Sequence, residues 1–215
     1  MATAVDGEKK AQDKRQRLLE AAGEVFAQRG FKAATIQEIC QRANANIAAV
    51  NYHFRDKETL YREVFRYAME QSRERYLSHP IDPSEHRPAQ RLRLELRRYL
   101  KVSFSRDRAP WQAMMFFREM LEPTDVFESL VEERMRPYQE SIESMVRDIL
   151  GPQTEEHVVR FSAFAAISLC SSFHTAQKYT KKLYPDDKFD SSDDLADLIA
   201  TFVNGGLRAL KPVAR

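Results

Sequence analysis

Apolar residues recur at intervals of three and four along nearly the whole chain, and no run alternates with period two. This spacing gives a helix one buried stripe and cannot give a strand one buried face. An all-α fold is therefore expected. Only six glycines occur in 215 residues, so few positions demand a backbone that helices refuse. No apolar run approaches the ~18 residues that would span a bilayer. The segment Met1 to Arg17 is polar and charged, unlike a signal peptide. The expected location is the cytoplasm, with no membrane partner. Cys40 and Cys170 each fall in an apolar helical pattern and read as buried free thiols. They form no zinc motif, and neither metal nor cofactor is expected.

The first helix is read from Asp13 to Gln28, with Leu18, Leu19, Ala22, Val25 and Phe26 as one stripe and Gly30 as its stop. Thr35-Ile-Gln-Glu38 is a capping box that opens a second helix ending near Ala43. Asn44 suits a left-handed turn, and Asn46 suits the cap of a short third helix ending near His53. Val50 and Phe54 point that helix inward, which sends Ala48, Ala49, Asn51 and Tyr52 outward. A fourth helix starts at Asp56 and continues to about Leu77. The Pro-rich stretch His79–Ser84 then separates an N-terminal domain (1–79) from a C-terminal one (84–215). Beyond it, helices are read over Pro88–Ser105, after Pro110, over Asp125–Leu150 with a kink or a split at Pro137, over Thr154–Lys181 and over Ser192–Leu210.

The stretch from Thr35 to Phe54 (TIQEICQRANANIAAVNYHF), followed by Asp56-Lys-Glu-Thr-Leu-Tyr61 and preceded by Phe26-Ala-Gln-Arg-Gly-Phe31, resembles the tetracycline-repressor (TetR) family. The variant Asn46–Phe54 is similar to the branch with CecR-like C-terminal domains. The resemblance implies a three-helix helix-turn-helix DNA-binding domain and a helical domain for ligand binding and dimerisation. It further implies a repressor that binds a palindromic operator as a homodimer and is released by a small effector. Asn44 replaces the glycine of many members, a change its backbone tolerance allows.

In such a motif the second helix enters the major groove and the first crosses the backbone. Asn51 can pair with adenine, and Ala48 and Ala49 can touch thymine methyls. Tyr52, His53 and Lys57 stand where the family holds phosphates. Thr35 and Gln37 are candidates from the preceding helix, and Asn46 from the turn. Packing of Tyr52 and His53 on the fourth helix is the plain alternative. The outward face offers no Arg, so bidentate guanine readout is not available there. From Lys9 to Lys57 ten Lys/Arg face five Asp/Glu, although net charge is only +2. The basic arm (Lys9, Lys10, Lys14, Arg15 and Arg17) can attract phosphates or be a solvated, idle tail.

In the C-terminal domain, Val158–Phe173 is nearly continuous in apolar and small residues, so that helix should be buried on all sides. Phe161, Ala165, Leu169, Leu198, Phe202 and Gly205 are the expected dimer interface; an interior helix of a monomer is the alternative. Trp111, Met114, Met115, Phe117, Arg118, Phe164, Phe173 and His174 are candidates to line a pocket for an apolar or amphipathic effector. An ordinary core would use most of the same residues. No GxSxG, HExxH, P-loop or Rossmann pattern points to an enzyme. The rival is a helical interaction or ligand-binding protein without operator binding.

Overall fold

The computed structural model describes residues 2–76, 81–82, 84–104, 109–187 and 192–211, and those residues form helices joined by turns and short irregular segments, with no strand among them. His79, Pro80 and Pro83 of the expected boundary lie outside the described residues. The helices are α1 (Ala2–Ala33), α2 (Ile36–Arg42), α3 (Ile47–Phe54), α4 (Lys57–Tyr76), α5 (Pro88–Phe104), α6 (Pro110–Leu121) and α7 (Val126–Leu130). A π-helical turn (Val131–Met135) leads into α8 (Arg136–Leu150), followed by α9 (Glu156–Thr175), α10 (Gln177–Leu183) and α11 (Ser192–Leu210). Contacts divide the chain into two compact units, Met1–Glu74 with Arg108–Glu128, and Arg75–Asp107 with Ser129–Arg215.

The first unit is built on α1. Leu18, Leu19, Ala22, Val25 and Phe26 are its buried stripe, as the spacing predicts, and Ile39, Val50, Phe54, Leu60 and Val64 of the next three helices are buried as well. Phe26, Tyr61 and Phe65 pack edge-on in a chain of rings at 4.8 and 5.1 Å. The helix begins at Ala2, so the basic arm is helical where a loose tail was the alternative. Gly30 ends its regular part with φ 75°, a value that favours glycine.

α6 belongs to this first unit, although it follows the expected domain boundary. The reason is local to α1. Gly23 has no side chain, and a Cβ there would lie 2.5 Å from the Trp111 indole. The indole therefore lies directly on the α1 backbone, buried, beside the interior side chain of Met115. The Arg118 guanidinium donates to the carbonyl oxygens of Ala27 (2.7 Å) and Gln28 (3.0 Å), which the helix end leaves without intrahelical partners. Buried Glu119 accepts from Tyr61 Oη (2.7 Å) and from the Thr124 amide and hydroxyl. Burial, and then the bond to Glu119, push the Tyr61 hydroxyl well above its ordinary pKa.

The second unit packs α5, α8, α9 and α11 around Leu92, Leu96, Leu100, Ile142, Val146, Val159, Ala163, Cys170, Leu195 and Ile199. Ion pairs trim its edges: Arg93 grips Asp197 with two bonds (2.9 and 2.7 Å), and Arg97 meets Asp193 at 2.7 Å. Two expected helices are interrupted. Pro137 has no N–H, so the chain before it widens, and the Arg136 amide bonds back five residues to the Val131 carbonyl. The expected Thr154–Lys181 helix breaks at Ala176 (φ −87°, ψ 6°) into α9 and α10.

α9 is not buried on all sides. Phe161 and Phe164 are 68% and 66% exposed, and Ala165 is exposed beside them. On α11, which packs against α9, Leu198 and Phe202 are 60% and 74% exposed. An aromatic that the sequence assigns to an interior pocket, Phe164, thus stands on the same open face as Phe161. Leu169 differs from the other interface candidates, being half-buried against the core.

Candidate nucleic-acid interface

The surface of α3 is set by three short polar side chains that act within a few residues of themselves. Thr35 Oγ1 accepts from the Glu38 amide at 3.1 Å and starts α2. The Glu38 carboxylate turns to Arg29 (3.4 Å), where a full capping box would bring it back to the cap. Asn44 takes the left-handed turn, with φ 49°. The Ala45 amide then reaches back to the Cys40 carbonyl at 2.9 Å, and the chain reverses. Asn46 Oδ1 accepts from the Ala49 amide at 2.9 Å and starts α3. Its side-chain oxygen is therefore committed to the cap.

The structure brings Ala48, Asn51 and Tyr52 together on the outer strip of α3. All are exposed, Tyr52 by 83%. Ile47 joins them at 52% exposure. Sequence reasoning passed over it because an isoleucine in a short amphipathic helix is expected inside. Its signal was spacing: residues 47 and 51, like 48 and 52, are four apart and share a face. Ala49 is a correction. It is buried (7% exposed) beside Val50, because α3 is tucked closely enough that two successive residues meet the core. Thr35 and Gln37 are exposed near the start of α2. The strip Ile47-Ala48-Asn51-Tyr52 carries no charge.

His53 is half-buried with Tyr52 edge-on at 4.9 Å. Burial, then the Arg15 and Lys14 cations, hold its imidazole below the usual value, so at neutral pH it offers one N–H donor. Lys57 is a second correction to its expected single role. Its ammonium donates to Ala34 O at 3.0 Å and Lys32 O at 3.4 Å and lies 4.7 Å over the Phe31 ring. It ties the start of α4 to the end of α1. Arg15 is likewise engaged, paired with Glu63 and standing 5.3 Å over the Phe54 ring. Arg17 is exposed. Arg55, exposed directly after α3 with φ 68°, is a cation that the sequence reading missed.

The effector candidates are not brought together as one set. Trp111, Met115 and Arg118 are used in packing α6 on α1, while Met114 and Phe117 are exposed on α6. Phe173 is partly buried against the second unit's core, and His174 lies edge-on to Phe104 at 5.4 Å. Among the described residues no group of His, Cys, Asp and Glu could hold a metal ion, and no helix is long and apolar enough to cross a membrane.

Two families match successive stretches of the chain. Residues 18–64 match the family of bacterial regulatory proteins, tetR family, and residues 88–210 match the C-terminal domain of the HTH-type transcriptional dual regulator CecR. An 82-residue stretch is 35% identical to the probable acrEF/envCD operon repressor of Escherichia coli (strain K12), covering 38% of this chain and 37% of that one. Matches of this kind span only 26% to 37% of the curated relatives' lengths. Two solved structures share the fold. A TetR-like transcriptional regulator from Rhodococcus sp. RHA1 aligns with TM-score 0.65 at 19% identity over 90% of this chain and 96% of its own. AibR, in complex with isovaleryl coenzyme A and operator DNA, aligns with TM-score 0.63 at 19% identity over 94% and 100%.

Proposed function

Because this chain belongs to the tetR family of bacterial regulatory proteins, with a C-terminal domain of the CecR type, and is thereby a DNA-binding transcriptional regulator, we propose that it is a homodimeric repressor that reads a palindromic operator with α3. The observation that carries the reading is the uncharged strip Ile47-Ala48-Asn51-Tyr52, held open to solvent by two capped helix starts. Asn51 is assigned a bidentate bond to adenine N6 and N7, and Ile47 and Ala48 are assigned thymine methyls. Tyr52, His53, Arg55, Thr35 and Gln37 fall to phosphates or flanking bases. Lys57 serves by bracing α4 on α1, with one N–H left for a phosphate.

Two copies are needed for a two-fold operator. The open stripes Phe161, Phe164 and Ala165 on α9, and Leu198, Phe202 and Gly205 on α11, are the proposed seam. Burying each large apolar side chain returns roughly 1.5–3 kcal/mol before the cost of association. Gly205 has nothing within 4 Å of the position a Cβ would take, which leaves room for a partner backbone. A small effector bound by the second unit would favour one spacing of the two α3 helices and release DNA. AibR, crystallised with both an acyl-coenzyme A and operator DNA, shows that a protein of this fold takes both kinds of ligand.

Selection of bound fragments from a random DNA pool tests the reading. A consensus with two half-sites about one duplex turn (~34 Å) apart is expected. An asymmetric consensus would contradict the two-fold dimer, and no consensus would favour a helical interaction protein without operator binding. The seam is checked separately by sedimentation of Phe202→Glu, which should shift dimer to monomer.

A further inference from the structure

The interior of the second unit contains polar groups that its own packing leaves unserved. The Tyr138 hydroxyl of α8 is shielded from solvent and, among the described residues, has no hydrogen-bond partner. Its ring stacks on Tyr99 of α5, with centroids 6.1 Å apart and planes 26° from parallel. Tyr99 Oη shares a 2.6 Å hydrogen bond with Ser171 Oγ of α9. One turn before Tyr99, Glu95 is only 6% exposed and meets Arg98 of its own helix at 3.4 Å. Three helices thus converge on two phenols, a carboxyl, a guanidinium and a hydroxyl at the edge of an otherwise apolar core. An orphaned buried hydroxyl is rare and destabilising, so its retention asks for a reason.

We propose that Tyr138, Tyr99, Glu95 and Arg98 form the effector-binding site, and that the effector is an uncharged aromatic molecule bearing a carbonyl or similar acceptor. The proposal rests on the effector-release reading above and gives it residues and a ligand class. A stacked pair of phenols can take a further ring on an outer face. The Tyr138 O–H supplies a donor for the acceptor group. Glu95 and Arg98 cancel in charge, so a net ionic ligand would enter a dry site without a counter-charge. Burial raises the Glu95 carboxyl above its ordinary pKa, which is further evidence that an added charge is unwelcome there. Burial also pushes the Cys170 thiol of α9 up to about 12, which keeps it protonated at neutral pH.

The test uses the full chain and three probes of similar size: acetophenone (neutral, with an acceptor), ethylbenzene (no acceptor) and benzoate (charged). Ligand-observed NMR titration gives their dissociation constants for wild type and Tyr138→Phe. Acetophenone should bind wild type more tightly than either control and lose about tenfold in Tyr138→Phe. The thermal midpoint without probe should stay or rise in that variant, because the lost hydroxyl has no hydrogen-bond partner among the described residues. No acetophenone binding, equal binding by the variant, equal binding of benzoate, or a fall in the variant's midpoint would each overturn the proposal. Operator affinity measured without probe keeps the two readings apart. If the operator is bound normally and acetophenone is not, this site fails while the regulator stands. If the operator is not bound, the regulator fails on its own evidence.

Discussion

Replacing Gly23 by Ala asks whether α6 is pressed onto α1 as closely as described. A Cβ at this position would sit 2.5, 2.6 and 2.7 Å from Trp111 Cε3, Cδ2 and Cζ3. Carbon atoms prefer about 3.5–4.0 Å, so the indole must retreat by roughly 1 Å. Overpacking of this kind costs about 1–3 kcal/mol. Against it stands the gain of about 1 kcal/mol for Ala over Gly inside a helix. The net expectation is a loss of up to about 2 kcal/mol, seen as a lower urea midpoint at unchanged slope. In Trp111→Leu the clash is absent, so Gly23→Ala in that background should show the helix gain alone. The difference between the two backgrounds is expected to exceed about 1 kcal/mol. If Gly23→Ala stabilises wild type by the full helix gain, no ring lies on α1 and the grouping of α6 with the reading head is wrong.

Three further outcomes follow from the same structure. Glu95→Gln should stabilise the protein at neutral pH. The folded pKa is raised, so the buried carboxylate's cost is present above that pKa and absent below the unfolded value of 4.5. The gain should therefore vanish on acidification to about pH 4 in thermal melts, and a gain that persists there would exclude titration of Glu95 as its cause. Lys57→Met removes donors from Ala34 O and Lys32 O. It should cost about 1–3 kcal/mol in chemical unfolding, and a purely DNA-binding role would leave stability unchanged. Asn44→Gly relieves the φ of 49° and should raise the unfolding midpoint slightly without altering operator affinity.

The reading surface was legible because its cause is local. Thr35, Asn44 and Asn46 act on amides or dihedrals within a few residues, so their roles could be read in order along the chain. Ala49 was misread because counting 100° from Val50 cannot say how deeply a short helix is tucked. Lys57 and Arg15 looked like free cations; their partners at Ala34 and Glu63 come from distant parts of the chain, and sequence does not show that. The place of α6 was hidden for the same reason, yet Gly23 held the clue. A glycine inside a helix sacrifices about 1 kcal/mol, and a close neighbour is one good reason to keep it. Pro137 announced an interruption, but whether the chain kinked or widened depended on the bonds before it. The Tyr138 hydroxyl left no sequence signal, since only the folded unit shows that it has no hydrogen-bond partner among the described residues.

The central claim is that α3 reads base edges through Asn51, and atomic substitution in the operator tests it most directly. Once the consensus is known, each adenine in a half-site is replaced in turn by 7-deazaadenine, which lacks the N7 acceptor. Affinities are measured for wild type and Asn51→Ala. At one position wild type should lose about 1 kcal/mol or more, while Asn51→Ala, already weakened, should lose almost nothing further. If every deaza substitution weakens the two proteins equally, Asn51 does not touch adenine, and this account of how the regulator recognises its operator is contradicted.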